Sequence, residues 1–131
     1  MLNSEIELNS QHYPAGFVRN FDAHIYYTPA NRPHAHSLRE KAMLDFATAP
    51  VFIGKLIDSK VGPHPTPMFE INFPKDWFGR VFSWLRANRR ELPVLVHEVT
   101  GDDPKDHSEG AIWLGRVLPL DESKLDPSPG F

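Results

Sequence analysis

VRNFDAHIYY, residues 18–27, is rich in β-branched and aromatic side chains and alternates in polarity, which marks a strand. A strand points successive side chains to opposite faces. Phe21, Ala23, Ile25 and Tyr27 therefore share one face, and Asp22, His24 and Tyr26 share the other. The first set asks for a hydrophobic cover. The second is polar and titratable, so it calls for a different use.

Working outward, PHAHSLREKAMLDFAT (33–48) spaces Leu38, Ala42 and Phe46 four apart on one helical face, and Pro50 ends the helix. VFIGKLID (51–58) reads as a second strand, and SKVGPHPTP (59–67) as a Pro/Gly loop. MFEINF (68–73) is a third strand, whose Phe69, Ile71 and Phe73 oppose Met68, Glu70 and Asn72. Pro74 then opens a second helix with Phe78, Val81, Phe82 and Leu85 as its apolar stripe. PVLVHEV (93–99) and AIWLGRV (111–117) supply a fourth and a fifth strand.

This order predicts an α+β fold of the ferredoxin-like split βαβ type, βαββαβ, with an additional C-terminal strand. Two helices cover one face of an antiparallel sheet and leave the other open. Strands one and three take the centre, with strand four beside strand one. A single domain spans residues 1–131, with a polar arm at 1–17 and a tail at 118–131.

Composition narrows the function. With 40% hydrophobic and 24% charged residues the chain is ordinary for a soluble globular domain. A formal charge of −3 offers no basic footprint, so no nucleic acid is expected. No apolar run is long enough to span a bilayer and no signal peptide is recognisable, so no membrane partner and a cytoplasmic location are expected. The chain has no cysteine, which leaves His, Asp, Glu and water as metal ligands.

Histidines are the candidate ligands. The predicted sheet gathers His24, Glu70 and Asn72 on the open face, where His97 joins them from the neighbouring strand. His64 sits in GPHP, where two prolines stiffen the backbone and lower the cost of holding one side chain. Neutral imidazole binds zinc, iron, copper or nickel. Three imidazoles, His24, His64 and His97, with a carboxylate nearby would leave positions open for substrate. Singly, each strand histidine is ordinary core furniture, and the loop histidine an ordinary surface residue; jointly they point to a metal or catalytic site. His34 and His36 lie two apart at a helix start and point in different directions, which fits a solvated turn. His12 lies in the polar arm. Asp102, Asp103 and Asp106 read as turn formers, and the basic RANRR as a helix end matched to the macrodipole.

FDAHIYY, GPHPTPMFEINF and HEVTGDDPKDHSEGAIWLG, three separated blocks in order, resemble the DOPA 4,5-dioxygenase family across about residues 18–117. The resemblance implies a ferredoxin-like fold, usually dimeric, and extradiol cleavage of a catechol such as L-DOPA by O₂ with non-haem Fe(II), zinc or another divalent metal being possible in its place. The matching histidines are His24, His64, His97 and His107. With the first three as ligands, His107 becomes the acid/base or substrate contact, and Asp22, Tyr26, Glu70 and Asn72 line the substrate. The chain departs from the family pattern at Glu98, where a proline is expected, and at Glu70, where an uncharged polar residue is expected. The expected partners are a catechol, O₂ and a second copy of the chain, with Trp113 near the dimer contact. Two other classes stay open: a metal-binding dimer without catalysis, and a ligand-binding module.

Overall fold

A computed structural model describes residues 13–125. The N-terminal part of the expected arm, with His12, and the last six residues of the expected tail lie outside the described residues. The strands are β1 (Phe21–Tyr26), β2 (Phe52–Ile53), β3 (Met68–Phe73), β4 (Val94–Glu98) and β5 (Ile112–Leu114). The helices are α1 (Arg32–Asp45), α2 (Phe78–Asn88) and the short α3 (Asp103–Asp106). They form one antiparallel sheet in the order β2-β3-β1-β4-β5, with β1 and β3 inside as the split βαβ requires.

Alternation fixes what each face does. Ala23, Ile25 and Tyr27 of β1 and its end join Phe69, Ile71 and Phe73 of β3 and Val94 and Val96 of β4 in one core. Ala35, Leu38 and Ala42 of α1 and Val81 and Leu85 of α2 close it from above. Tyr26, Met68 and Leu95 lie on the other face and pack against Ile57, Val61 and Leu118.

That second face is not left open. The 59–67 loop, α3 and the chain after β5 lie over it. Residues 118–125 are thus a packed segment rather than a free tail, because Leu118 and Leu125 bury apolar side chains and Asp121 N–H donates to the Pro63 carbonyl at 2.8 Å. The near end of the arm packs as well: Tyr13 stacks on Phe17 and meets Phe52 edge-on, with ring centroids 5.0 and 4.7 Å apart.

The second strand is shorter than its apolar run. Ile53 pairs with Ile71, and pairing resumes at Ile57 with Met68. Four steps on one side against three on the other leave one extra residue, a bulge that bends the edge away from regular pairing. The turn expected at 101–106 contains a helix. Asp102 caps it by accepting from Lys105 N–H at 3.2 Å, and Pro104 occupies its first turn. Among the described residues, no helix is long and apolar enough to cross a membrane.

Candidate metal centre

Pairing register builds the floor of the site. His24 stands opposite Glu70 and Leu95, and Asp22 opposite Asn72 and His97. Asp22, His24, Glu70, Asn72 and His97 therefore converge on the face away from the helices. Two loops complete the cluster. Gly62, at φ 57°, turns the chain so that His64 enters from the 59–67 loop, where its N–H donates to the Val61 carbonyl at 3.1 Å. His107 arrives at the C-terminal end of α3, its N–H donating to the Asp103 carbonyl at 3.1 Å. Asp106 anchors that helix to the end of β4, accepting from Thr100 N–H at 2.9 Å and Thr100 Oγ1 at 2.5 Å.

The four rings form one nest. Centroids of His24 and His64, and of His97 and His107, are each 4.3 Å apart, and His24 and His97 are 5.1 Å apart. Exposure is 0% at His24, 1% at His64, 2% at His97 and 5% at His107, so the nest is sealed from bulk water. Tyr26 supports it from below: its hydroxyl shares a 2.7 Å hydrogen bond with His64 Nδ1, and its ring stacks on Trp113. Trp113 thus has an intrachain role at the site, in addition to any part in a dimer contact.

Backbone carbonyls set the tautomers. His97 Nδ1 donates to the Glu98 carbonyl at 2.9 Å, and His107 Nδ1 donates to the Asp103 carbonyl at 2.8 Å. A carbonyl oxygen only accepts, so the neutral form of either ring carries its lone pair on Nε2. His24 Nε2 lies 3.0 Å from His97 Nε2, which makes His24 the donor across that contact. Its own lone pair is then on Nδ1, on the side of Glu70, whose Oε2 is 3.9 Å away.

Electrostatics keeps His24, His64 and His107 neutral. Burial, followed by the other three histidines, holds His24 well below the usual imidazole range. Burial pushes His64 down to about 3. Burial, then His97, pushes His107 down to about 3. Neutral imidazole is the form that binds a metal, so the protein has already borne the cost of deprotonation. At Asp22, burial pushes the carboxyl up, but the charge and hydrogen bonds of Arg19 outweigh it, and the net shift is downward.

Two sets of side chains bring their ligand atoms within 4.8 Å of one another: His24, His64 and His107, and Asp22, His24 and His97. Both contain His24. Among the described residues, no such set holds His64 and His97 together, so the geometry places His107 with the ligand candidates as readily as His97. The donor chemistry favours the first set. Asp22 Oδ1 already accepts from Arg19 Nε and from Asn72 Nδ2, each at 2.7 Å, while Oδ2 takes the guanidinium's Nη2. A fixed cation beside that carboxylate opposes a second one. His97 Nε2, in turn, is engaged by His24. A three-imidazole set fits a divalent metal of the zinc, iron or copper type.

Asp22, His24, Tyr26, Glu70, Asn72 and His97 share the face expected of them, and the loop residues His64 and His107 join them there. His34 and His36 lie outside the nest on exposed turns of α1, with His34 bonded to Glu91. Three contributors escape a motif search. Arg19 precedes β1 and pairs with Asp22; Tyr13 donates to Asn72 Oδ1 at 3.1 Å; Asp106 reads as turn charge but is 3% exposed. Only the α3 start had a local signal, Asp102 followed by Asp-Pro, the pattern of a cap with proline in the first turn.

The Dopa 4,5-dioxygenase family model matches residues 21–124, which contain all four histidines. A 21.2 kDa uncharacterised protein of Botryotinia fuckeliana is 34% identical over 141 residues, covering 94% of this chain and 76% of that one. The DOPA 4,5-dioxygenase of Amanita muscaria is 31% identical over 116 residues, covering 82% of this chain but 50% of that enzyme's length. The crystal structure of a presumed dioxygenase from Nostoc punctiforme superposes with a TM-score of 0.74 at 37% identity, covering 81% of this chain and 90% of that one. With the fold, the face that carries the histidines and these matches in agreement, the chain belongs to the Dopa 4,5-dioxygenase family.

Proposed function

We propose that the protein is a ring-cleaving dioxygenase that opens a catechol in the extradiol manner with O₂, using a ferrous ion held by imidazoles of the buried nest. One observation carries this reading: four buried histidines from β1, β4 and two loops converge in one nest with carboxylates and a phenol around them. His24, His64 and His107 are the proposed ligand set, and His97 the proposed proton carrier. This exchanges the roles expected for His97 and His107 from the sequence, because Arg19 already neutralises Asp22 and His24 engages His97 Nε2.

When bound, the ion would bring catecholate and O₂ together and supply the electrons that activate oxygen. The chain's own groups do the rest. His97, whose Nε2 takes the His24 N–H in the metal-free protein and lies 3.8 Å from Asp22 Oδ2, would accept a hydroxyl proton there once substrate displaces that contact, and return it to the departing oxygen. Tyr26 holds the His64 ring in one orientation. Asn72 joins Asp22 to Glu70, donating to Glu70 Oε1 at 2.9 Å, and keeps both carboxylates turned inward. Both atoms of O₂ enter the product, so no external reductant is required.

Loading the protein with Fe(II) without oxygen, then adding a catechol and O₂, tests the proposal. The expected result is a yellow, visible-absorbing ring-cleavage product with one O₂ consumed per catechol. Stoichiometric iron with no oxygen uptake across a panel of catechols overturns it. Full burial of the nest favours a second reading, a structural zinc without catalysis. Under it, zinc raises thermal stability and no catechol protects the site. A homodimer is part of the proposal, with the β5 edge and the chain just after it as contact, since Ile112 in β5 and Val117 beyond it are 40% and 64% exposed. Light scattering that gives monomer mass across micromolar concentrations removes it.

A further inference from the structure

Arg19 lies outside every strand, yet its side chain is only 15% exposed while that of Asp22 is 1% exposed. Its guanidinium grips Asp22 with two N–H groups, Nε to Oδ1 at 2.7 Å and Nη2 to Oδ2. Asn72 Nδ2 adds a third contact at 2.7 Å on Oδ1. A carboxylate held in its plane by a fork and an amide cannot rotate. Its Oδ2 is consequently fixed 3.8 Å from His97 Nε2. The network continues: Asn72 bonds Glu70 through the same amide nitrogen and receives Tyr13 on its oxygen. Within this network two buried carboxylates face one guanidinium.

We propose that Arg19 is a positioning residue for the histidine nest: by clamping Asp22 it fixes the carboxylate against which the His97 ring is set, and so holds His97 Nε2 at His24. The proposal rests on the nest being the reaction centre only for its consequence in turnover; the positioning itself concerns the metal-free protein. Lysine cannot reproduce the clamp, because an ammonium is a point donor without a planar fork. Loss of a supporting contact of this kind lowers activity by about 10–100-fold.

Two variants test it. Arg19→Lys keeps the charge and loses the fork. The double variant Arg19→Gln with Asp22→Asn removes both charges, so no unpaired anion is left buried. Long-range proton–nitrogen NMR of the metal-free protein reads the His97 ring directly. The expected wild-type signature is one sharp set of signals from a ring protonated at Nδ1. Both variants should keep that tautomer, which the Glu98 carbonyl sets, but show shifted and broadened His97 ring signals as the ring loses its fixed place. Zinc affinity by competition titration should stay close to wild type in both, because the clamp acts on His97 and not on the proposed ligands His24, His64 and His107. With a catechol that the wild type cleaves, kcat should fall while KM stays within about threefold. Unchanged His97 signals in a folded variant overturn the proposal, and so does loss of folding in both variants, which would make the pair a folding requirement. If no catechol is cleaved by the wild type, the dioxygenase reading fails, and the NMR result still decides the role of Arg19.

Discussion

The two faces of the sheet are built from the same strands and held by opposite means. On the helix side, Ile25, Ile71 and Val96 meet Leu38, Val81 and Leu85, and water is excluded by apolar area alone. On the other side, His24, Glu70 and His97 are buried as deeply, but under loops, and each polar atom has to be matched by geometry. The first face tolerates any filler of similar volume. The second depends on named atoms: the Glu98 and Asp103 carbonyls, the Tyr26 hydroxyl and the Arg19 fork. Burial that stabilises one face is a cost on the other, and that cost appears as depressed imidazole basicity.

Acid therefore separates the faces most sharply. A buried histidine with a lowered pKa is neutral when folded and takes up a proton when unfolded. Its contribution is complete above the unfolded value near 6.5 and is lost as pH falls from there toward about 3, the folded value of His64 and His107. Each such histidine costs about 1.4 kcal/mol per pH unit in that window. With His24 included, metal-free protein should lose several kcal/mol between pH 6.5 and 5, and bound metal should move the loss to lower pH. A thermal midpoint that is flat from pH 7 to 5 without metal would mean that the nest is open to water. Replacing one member, His64→Gln, should reduce the slope by about one proton.

Phe73→Ala strikes only the helix face, where Phe73 is fully buried in the core. It should cost about 3–5 kcal/mol in denaturant unfolding. Metal stoichiometry in the fraction that stays folded should remain that of wild type, because Phe73 points away from the histidines. If metal content falls in that folded fraction, the two faces are coupled more tightly than the packing indicates.

His107→Ala strikes only the other face. If His107 is a ligand as proposed, its loss should weaken metal binding at least about 100-fold, beyond the range for a supporting contact. His97→Ala should keep most of the metal and reduce turnover about 10²–10⁴-fold. The opposite pattern returns His97 to the ligand set and His107 to proton transfer. Smallest of all is the cap: Asp102→Ala should cost about 1 kcal/mol locally by loosening α3. Hydrogen exchange at Asp106 and His107 amides should quicken, with the helix face unmoved. If exchange there stays slow, the Thr100–Asp106 bonds hold α3 by themselves.

The sequence by itself determined the order of elements, the central places of β1 and β3, and which side chains share a face. A two-residue period in FDAHIY and MFEINF carries that information locally, since a strand cannot turn one side chain without turning them all. It also put Asp22, His24, Glu70, Asn72 and His97 on one side. Tertiary structure alone decided the rest. The length of β2 depended on where its bulge fell, and the cover of the second face on Leu118 and Leu125 folding back. His107 reached ligand distance of His24 only because α3 forms and Asp106 ties it to Thr100. Lone-pair direction at His97 depends on one carbonyl, and the hold on Asp22 on an arginine before the strand begins. Periodicity records the direction of a side chain from its own backbone, whereas a hydrogen bond across the fold records where two distant backbones meet.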